Sequence, residues 1–184
     1  MRFWDGRGTV QLVDLAPDVA AMLLKRIVPG TPASLLPVDE CMQVMGRMMR
    51  RLGALPPRDV PPTADLAATR WMTFESDWIR LGRPFPVSVL RAAERAAIAV
   101  SVVREDLAVD GDLHPGQVLR ASREPWLAVD LMLYRGDIEY NLARILVDRI
   151  DDMPSDAAVD GHFLVLVRAA DLDLLPPLVH HTWL

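Results

Sequence analysis

The sequence predicts an α+β fold that is mainly helical, with a short strand pair near its N-terminus and a central β-hairpin. Three observations carry this. Two apolar, partly β-branched runs, TVQLVDL (9–15) and AMLLKRI (21–27), flank a turn signal. From residue 38 onward, apolar residues return at helical spacing in several separate stretches. Among those stretches, residues 117–130 hold two short apolar runs around a polar turn, the pattern of a hairpin.

The elements follow in chain order. Ala16-Pro17-Asp18 supplies the turn that makes 9–15 and 21–27 an antiparallel pair, the only clear strands in the first hundred residues. PGTPAS (29–34) then breaks the chain and reads as a connector. Val38, Cys41, Met42, Val44, Met45, Met48, Met49 and Leu52 keep one helical face across 38–53. Asp39 and Glu40 suit the positive end of that helix, and Gly53 closes it. Methionines at this spacing read as core rather than as the lining of a binding groove. Cys41 on the same face reads as a buried structural residue rather than a reactive thiol.

PPRDVPP (56–62) is a stiff linker. Thr63 is placed to cap the next helix, whose face of Leu66, Ala67, Arg70, Trp71, Phe74, Trp78 and Leu81 is expected to pack into the core. An alanine-rich helix follows over roughly 87–104, and LAV (107–109) leads into the stretch VDGDLHPGQVLRASREPWLAVD (109–130). Further helices are expected near Asp137 and near Ser155, the latter presenting Val159, Phe163, Leu166, Val167 and Ala170. No internal repeat is visible.

Composition narrows the possible functions. A chain of 184 residues with 51% hydrophobic residues can build one sizeable core and is not globally disordered. The net charge of −5 and pI near 5.3 argue against nucleic acid as a partner, although one or two local cations can still hold phosphates. Nineteen of the 20 basic residues are arginine, and Lys25 is the sole lysine. A single cysteine excludes an intrachain disulfide and suits a cytoplasmic setting. The start MRFWDGRG does not resemble a signal peptide. AAIAV and FLVLV fall well short of the ~20 residues that cross a bilayer, so no membrane partner is expected.

The chemistry concentrates in residues 110–130. Asp112 lies in a polar loop, an amide follows five residues later at Gln117, and Asp130 ends the apolar run Trp126-Leu127-Ala128-Val129 eighteen residues on. In kinase-type phosphoryl transfer a loop aspartate takes or orients the attacking hydroxyl's proton. An amide and a second aspartate on the next hairpin then hold the magnesium that bridges the phosphates. Spacing alone leaves a second reading open, in which two acids merely flank the solvent side of a hairpin.

GDLHPGQVL followed by WLAVD resembles the HGDLHPGNVL and WLAIDP segments of the aminoglycoside phosphotransferases, nearest the streptomycin and hydroxyurea kinases. WDGRGTVQL and LLKRIVPGTP are similar to the strand and hinge that join the two lobes of those enzymes. RGDIEYNLARIL (135–146) is similar to their GDPAYDLAPLL segment, and GHFLVLVRAADLD to a helix near their C-terminus.

The resemblance implies a protein-kinase-like fold. Residues 1–30 would be a remnant of the small lobe and hinge, and residues 31–184 the helical large lobe, with most of the small lobe outside the chain. It implies ATP-dependent transfer of phosphate to an alcohol group of a small molecule such as a streptomycin-like aminoglycoside, with ATP and Mg²⁺ as cofactors. Asp112 would be the catalytic base, Gln117 and Asp130 the metal ligands, and the backbone of Arg26, Ile27 and Val28 the adenine contact.

His114 and Pro115 would shape the loop, and Asp137 would cap the next helix. Gln117 stands where the family pattern has asparagine, and Asp110 where it has histidine. An acid so near Asp112 would raise the pKa of one of the two unless a cation sits between them. Lys25 falls in the strand entering the hinge, away from the family's phosphate-binding strand. His180-His181 reads as an exposed tail rather than a metal site. The alternative reading is a truncated, catalytically inactive remnant or binding module. In either case the strand pair should leave an open sheet edge and allow self-association.

Overall fold

The structure, a computed structural model, describes residues 2–100 and 106–173; His180-His181 and the expected end of the alanine-rich helix at 101–104 lie outside the described residues. Strand β1 (Leu12–Ala16) pairs antiparallel with β2 (Ala21–Leu24) through a 3₁₀ turn at Pro17–Val19. Proline at the first position of that turn and Ala20 in the left-handed region reverse the chain. Val13, Val19, Met22 and Leu23 are all exposed, so this hairpin stands out from the body.

The segment read as a connector is instead a strand, β3 (Pro29–Pro32), at the edge of a three-stranded sheet in the order β3-β5-β6. It pairs only at Pro29↔Ala121 and Pro32↔Leu119. Prolines lack the N–H that a ladder needs, so such a strand is tolerated only at an edge, and its sequence carries no strand signal.

Helix α1 (Val38–Leu52) forms as expected, with Gly53 N–H donating to Met49 O at 3.1 Å at its end. Its methionine face is core: Met42 and Met45 are fully buried, and so is Cys41, whose thiol pKa burial pushes up. The face packs on α5 (Asp156–Ala169), which Ser155 caps by accepting from Ala158 N–H at 3.3 Å. Gly46 permits the approach, because a Cβ there would lie 2.5 Å from Leu166 O. Trp4 enters the same core and donates from Nε1 to Leu52 O at 2.9 Å.

Helices α2 (Thr63–Arg80) and α3 (Val87–Val100) make a two-helix hairpin that departs from expectation in two ways. Pro62 occupies the cap position and Thr63 is the first helical residue, buried against Gly136. The expected core face is largely open: Ala67 is its one buried member, while Phe74 and Leu81 are exposed. Helical periodicity identifies an amphipathic face but not whether another element covers it. Here α2 meets α3 and β7, and its aromatics satisfy one another instead. Trp71 stacks on Phe74 at 5.8 Å, and Trp78 Nε1 donates to Phe85 O at 2.9 Å.

Strand β4 (Leu107–Asp110) pairs with β7 (Leu133–Gly136), and β5 (Val118–Ala121) with β6 (Trp126–Ala128), the hairpin expected within 117–130. The helix near Asp137 begins as a 3₁₀ turn, Ile138–Asn141, before α4 (Leu142–Val147). Asp137 sits at the cap position without a side-chain capping bond. The described residues thus form an α+β fold of five α-helices and three small antiparallel sheets. No helix among them is long and apolar enough to cross a membrane.

Candidate active site

Two pairings bring the three chemical segments together. Val129 N–H donates to Gln117 O at 2.9 Å, which sets Gln117 beside the residue preceding Asp130 at the open end of the β5–β6 hairpin. Gly111 N–H donates to Met132 O at 3.0 Å, which lays the Asp112 loop along the segment that follows Asp130. Asp112, Gln117 and Asp130 therefore belong to one neighbourhood.

Asp130 is exposed and has φ +54°. Aspartate tolerates this left-handed conformation better than most residues, at a cost in strain that a folded chain retains chiefly at functional positions. Asp130 follows two residues after the end of β6 at Ala128. His114 shapes the preceding loop by accepting from Gly116 N–H at 3.2 Å.

Gln117 is buried, and its Nε2 donates to Asp110 Oδ2. Asp110 is also buried, and its Oδ1 accepts from Met132 N–H at 2.8 Å. Burial pushes its carboxyl up to about 6, against the opposing hydrogen bonds from Met132, Gln117 and the Asp112 backbone; the Asp112 charge adds a smaller upward push. One of the two neighbouring acids does shift upward, but desolvation is the main cause rather than mutual repulsion. An ionised carboxylate only accepts, so Asp110 fixes the Gln117 amide with its nitrogen inward and its oxygen as the remaining acceptor.

Asp112 is half-exposed and is not free: Arg144 Nε donates to its Oδ1 at 2.9 Å. The same guanidinium reaches Asp148 from Nη1 at 3.0 Å. The Asp112 hydrogen bond pushes the Arg144 pKa upward. Arg144 thus pairs with Asp112, while the bonds to the Asp110 carboxylate come from Gln117 and Met132.

Arg26, Ile27 and Val28 line one open pocket of about 140 Å³, which Leu127 and Ala121 from the β5–β6 hairpin also line. Lys25, left out of the site by sequence reasoning, lines it too. Arg123 closes one side, its Nη2 donating to Gly6 O at 2.7 Å and to Thr9 O at 2.6 Å. This pocket and the Gln117/Asp130 pair occupy opposite ends of one hairpin, separated by a strand of roughly 13 Å.

Among the described residues no group of three or more His, Cys, Asp or Glu could hold a metal ion. The oxygen donors of Gln117 and Asp130 nonetheless suit magnesium, which characteristically takes one or two protein ligands and completes its shell with phosphate oxygens and water.

The model of the aminoglycoside/hydroxyurea antibiotic resistance kinase family matches residues 1–175. The chain belongs to this family. It is 34% identical over 157 residues to a streptomycin 6-kinase of Streptomyces glaucescens, covering 83% of this chain and 50% of that protein. It is 33% identical over 144 residues to a streptomycin 6-kinase of Streptomyces griseus, covering 77% and 47% respectively. A hydroxyurea phosphotransferase of Kitasatospora aureofaciens is 30% identical over 152 residues, covering 80% and 45%. The chain spans about half the length of these relatives.

Proposed function

We propose that this member of the family carries the metal and acceptor side of an ATP-dependent phosphotransferase acting on an alcohol group of a small molecule, such as a streptomycin-like aminoglycoside. In this reading residues 31–184 form the large lobe of a protein-kinase-like fold, and residues 1–30 a remnant of the small lobe and hinge. The observation that carries it is the hairpin: Gln117 and Asp130 stand at one end, the Arg26–Val28 pocket at the other. A nucleotide with its base in the pocket would run along β5 toward the two oxygen ligands.

Asp112 would accept the proton of the acceptor hydroxyl as that oxygen attacks the terminal phosphorus and the bond to the departing nucleoside diphosphate breaks. Gln117 and Asp130 would hold Mg²⁺, which neutralises phosphate charge. The Arg26–Val28 backbone would position the base.

One observation favours the second reading, a non-catalytic binding module: Arg144 already engages the Asp112 carboxylate. Equilibrium binding of ATP with and without Mg²⁺, combined with a turnover assay, separates the two. Magnesium-dependent binding that weakens at least about tenfold in Asp130→Asn supports the site. Binding without turnover selects the module. No nucleotide binding under either condition refutes both.

A further inference from the structure

We propose that Asp110 is a positioning residue for the magnesium site: its carboxylate dictates which end of the Gln117 amide faces the metal, and it closes a circuit of hydrogen bonds around the Asp130 turn. This deepens the phosphotransferase reading and rests on Gln117 and Asp130 as the metal ligands.

The circuit runs through both proposed ligands. Gln117 Nε2 donates to Asp110 Oδ2, and Met132 N–H donates to Asp110 Oδ1 at 2.8 Å. On the far side, Val129 N–H donates to Gln117 O at 2.9 Å. The chain from Val129 to Met132 completes the circuit, and Asp130 lies within that span at φ +54°. Gly111 N–H donates to Met132 O at 3.0 Å, tying the same turn to the backbone beside Asp110. One side chain therefore holds the Gln117 amide on one oxygen and the Asp130 turn on the other.

The two donors constrain Asp110 differently. The Met132 N–H belongs to the backbone and can only donate. The Gln117 amide has a donor end and an acceptor end of nearly equal size, so either fits the same space. A carboxylate offers oxygen to both partners, which puts the Gln117 nitrogen inward and leaves its oxygen for magnesium, a metal that takes oxygen ligands. An amide at position 110 would reverse this. Its oxygen would go to the Met132 N–H, its nitrogen would face Gln117, and two facing buried donors are costly. Gln117 would turn over and present nitrogen to the metal. Water cannot relieve the conflict: Asp110 and Gln117 are 2% and 6% exposed, and the space beside Asp110, lined by Val109, Leu113 and Ile138, is too narrow to admit it.

The test reads the direction of the bond by NMR couplings across hydrogen bonds in the isotope-labelled full chain, without metal or nucleotide. It is run at about pH 8, above the Asp110 carboxyl's value of about 6. Wild type is expected to couple Gln117 Nε2 to the Asp110 carboxyl carbon. Asp110→Asn should reverse this, coupling the introduced amide nitrogen to the Gln117 amide carbon, while the Val129 and Met132 amides keep their slow hydrogen exchange. In calorimetry, Asp110→Asn should weaken ATP binding in excess Mg²⁺ at least about tenfold and leave ATP binding in EDTA unchanged.

Absence of the coupling in wild type overturns the proposal, as does an Asp110→Asn chain in which Gln117 still donates. A reversed bond with undiminished binding in Mg²⁺ overturns it too. Equal losses with and without Mg²⁺ do the same, because they mark a merely structural role. Unfolding of Asp110→Asn also counts against it, since turning the amide over leaves every bond of the circuit in place. Failure of the phosphotransferase reading appears separately, as a wild type that binds no nucleotide; the direction of the bond then still judges Asp110.

Discussion

The Gln117 amide donates to the buried carboxylate of Asp110, seven residues earlier in the chain. The bond ties the orientation of a proposed metal ligand to the protonation of a neighbouring buried acid. Asp110 binds its proton more tightly in the folded chain, at about 6, than at the ordinary aspartate value of 3.8. The stability linked to this is therefore fully present below pH ~4 and is lost as pH rises through ~6, since the folded state then holds the extra proton less. Relative to Asp110→Asn, wild type should lose up to about 3 kcal/mol of unfolding free energy across that window. Urea titrations of both proteins at a series of pH values measure it, and parallel curves would show that Asp110 titrates normally.

Asp130 should show a trade between stability and ligand binding. Glycine adopts the φ of +54° at this position without strain, so Asp130→Gly should stabilise the chain by about 1 kcal/mol. It should also abolish magnesium-dependent nucleotide binding. Thermal melting and calorimetry check the two halves separately; a destabilised Asp130→Gly would mean that the carboxylate makes a contact the fold relies on.

Gly46→Ala should be severe for so small a change. The added methyl would meet Leu166 O at 2.5 Å and Ala169 Cβ at 2.7 Å, so α1 and α5 must separate. A loss of roughly 1–3 kcal/mol is expected, with a lower urea midpoint. Met45→Ala, which instead empties the same interface, should cost about 2–5 kcal/mol.

The β1–β2 hairpin should govern association. Val13, Met22 and Leu23 are 60%, 54% and 58% exposed, an apolar surface on a two-stranded sheet with open edges. Sedimentation velocity should show concentration-dependent oligomers that Met22→Lys combined with Leu23→Lys removes. A wild-type chain that remains monomeric at high concentration would rule out this surface as the cause.

Helices α1 and α5 were legible because their apolar periods are long and their ends carry glycine and serine signals. The β5–β6 hairpin was legible because two apolar runs bracket a polar turn. β3 and β7 were not: each is four residues long and exists because a partner strand accepts it, which no local signal reports. The openness of the α2 face is not legible, because periodicity says nothing about what lies opposite. At the site, Asp112, Gln117 and Asp130 stand out by spacing, and Gln117 and Asp130 flank the open end of the hairpin while Asp112 lies in the loop before it. The Arg144–Asp112 bridge joins residues 32 apart across loop and helix, so nothing local announces it. The Arg144–Asp148 spacing of four residues was its only trace in the sequence.

The partnership of α1 with α5 also bears on how the chain is made. Helix α1 ends at Leu52 and α5 begins at Asp156, so during synthesis the methionine face emerges long before its cover. At ~10 residues per second the interval is about ten seconds, far longer than a helix needs to form. Throughout that time Met42, Met45 and Met49 present a greasy stripe to the surrounding water, the kind of surface a holding chaperone binds. Slowed translation anywhere between the two helices would lengthen the exposure and favour aggregation of the nascent chain over its release.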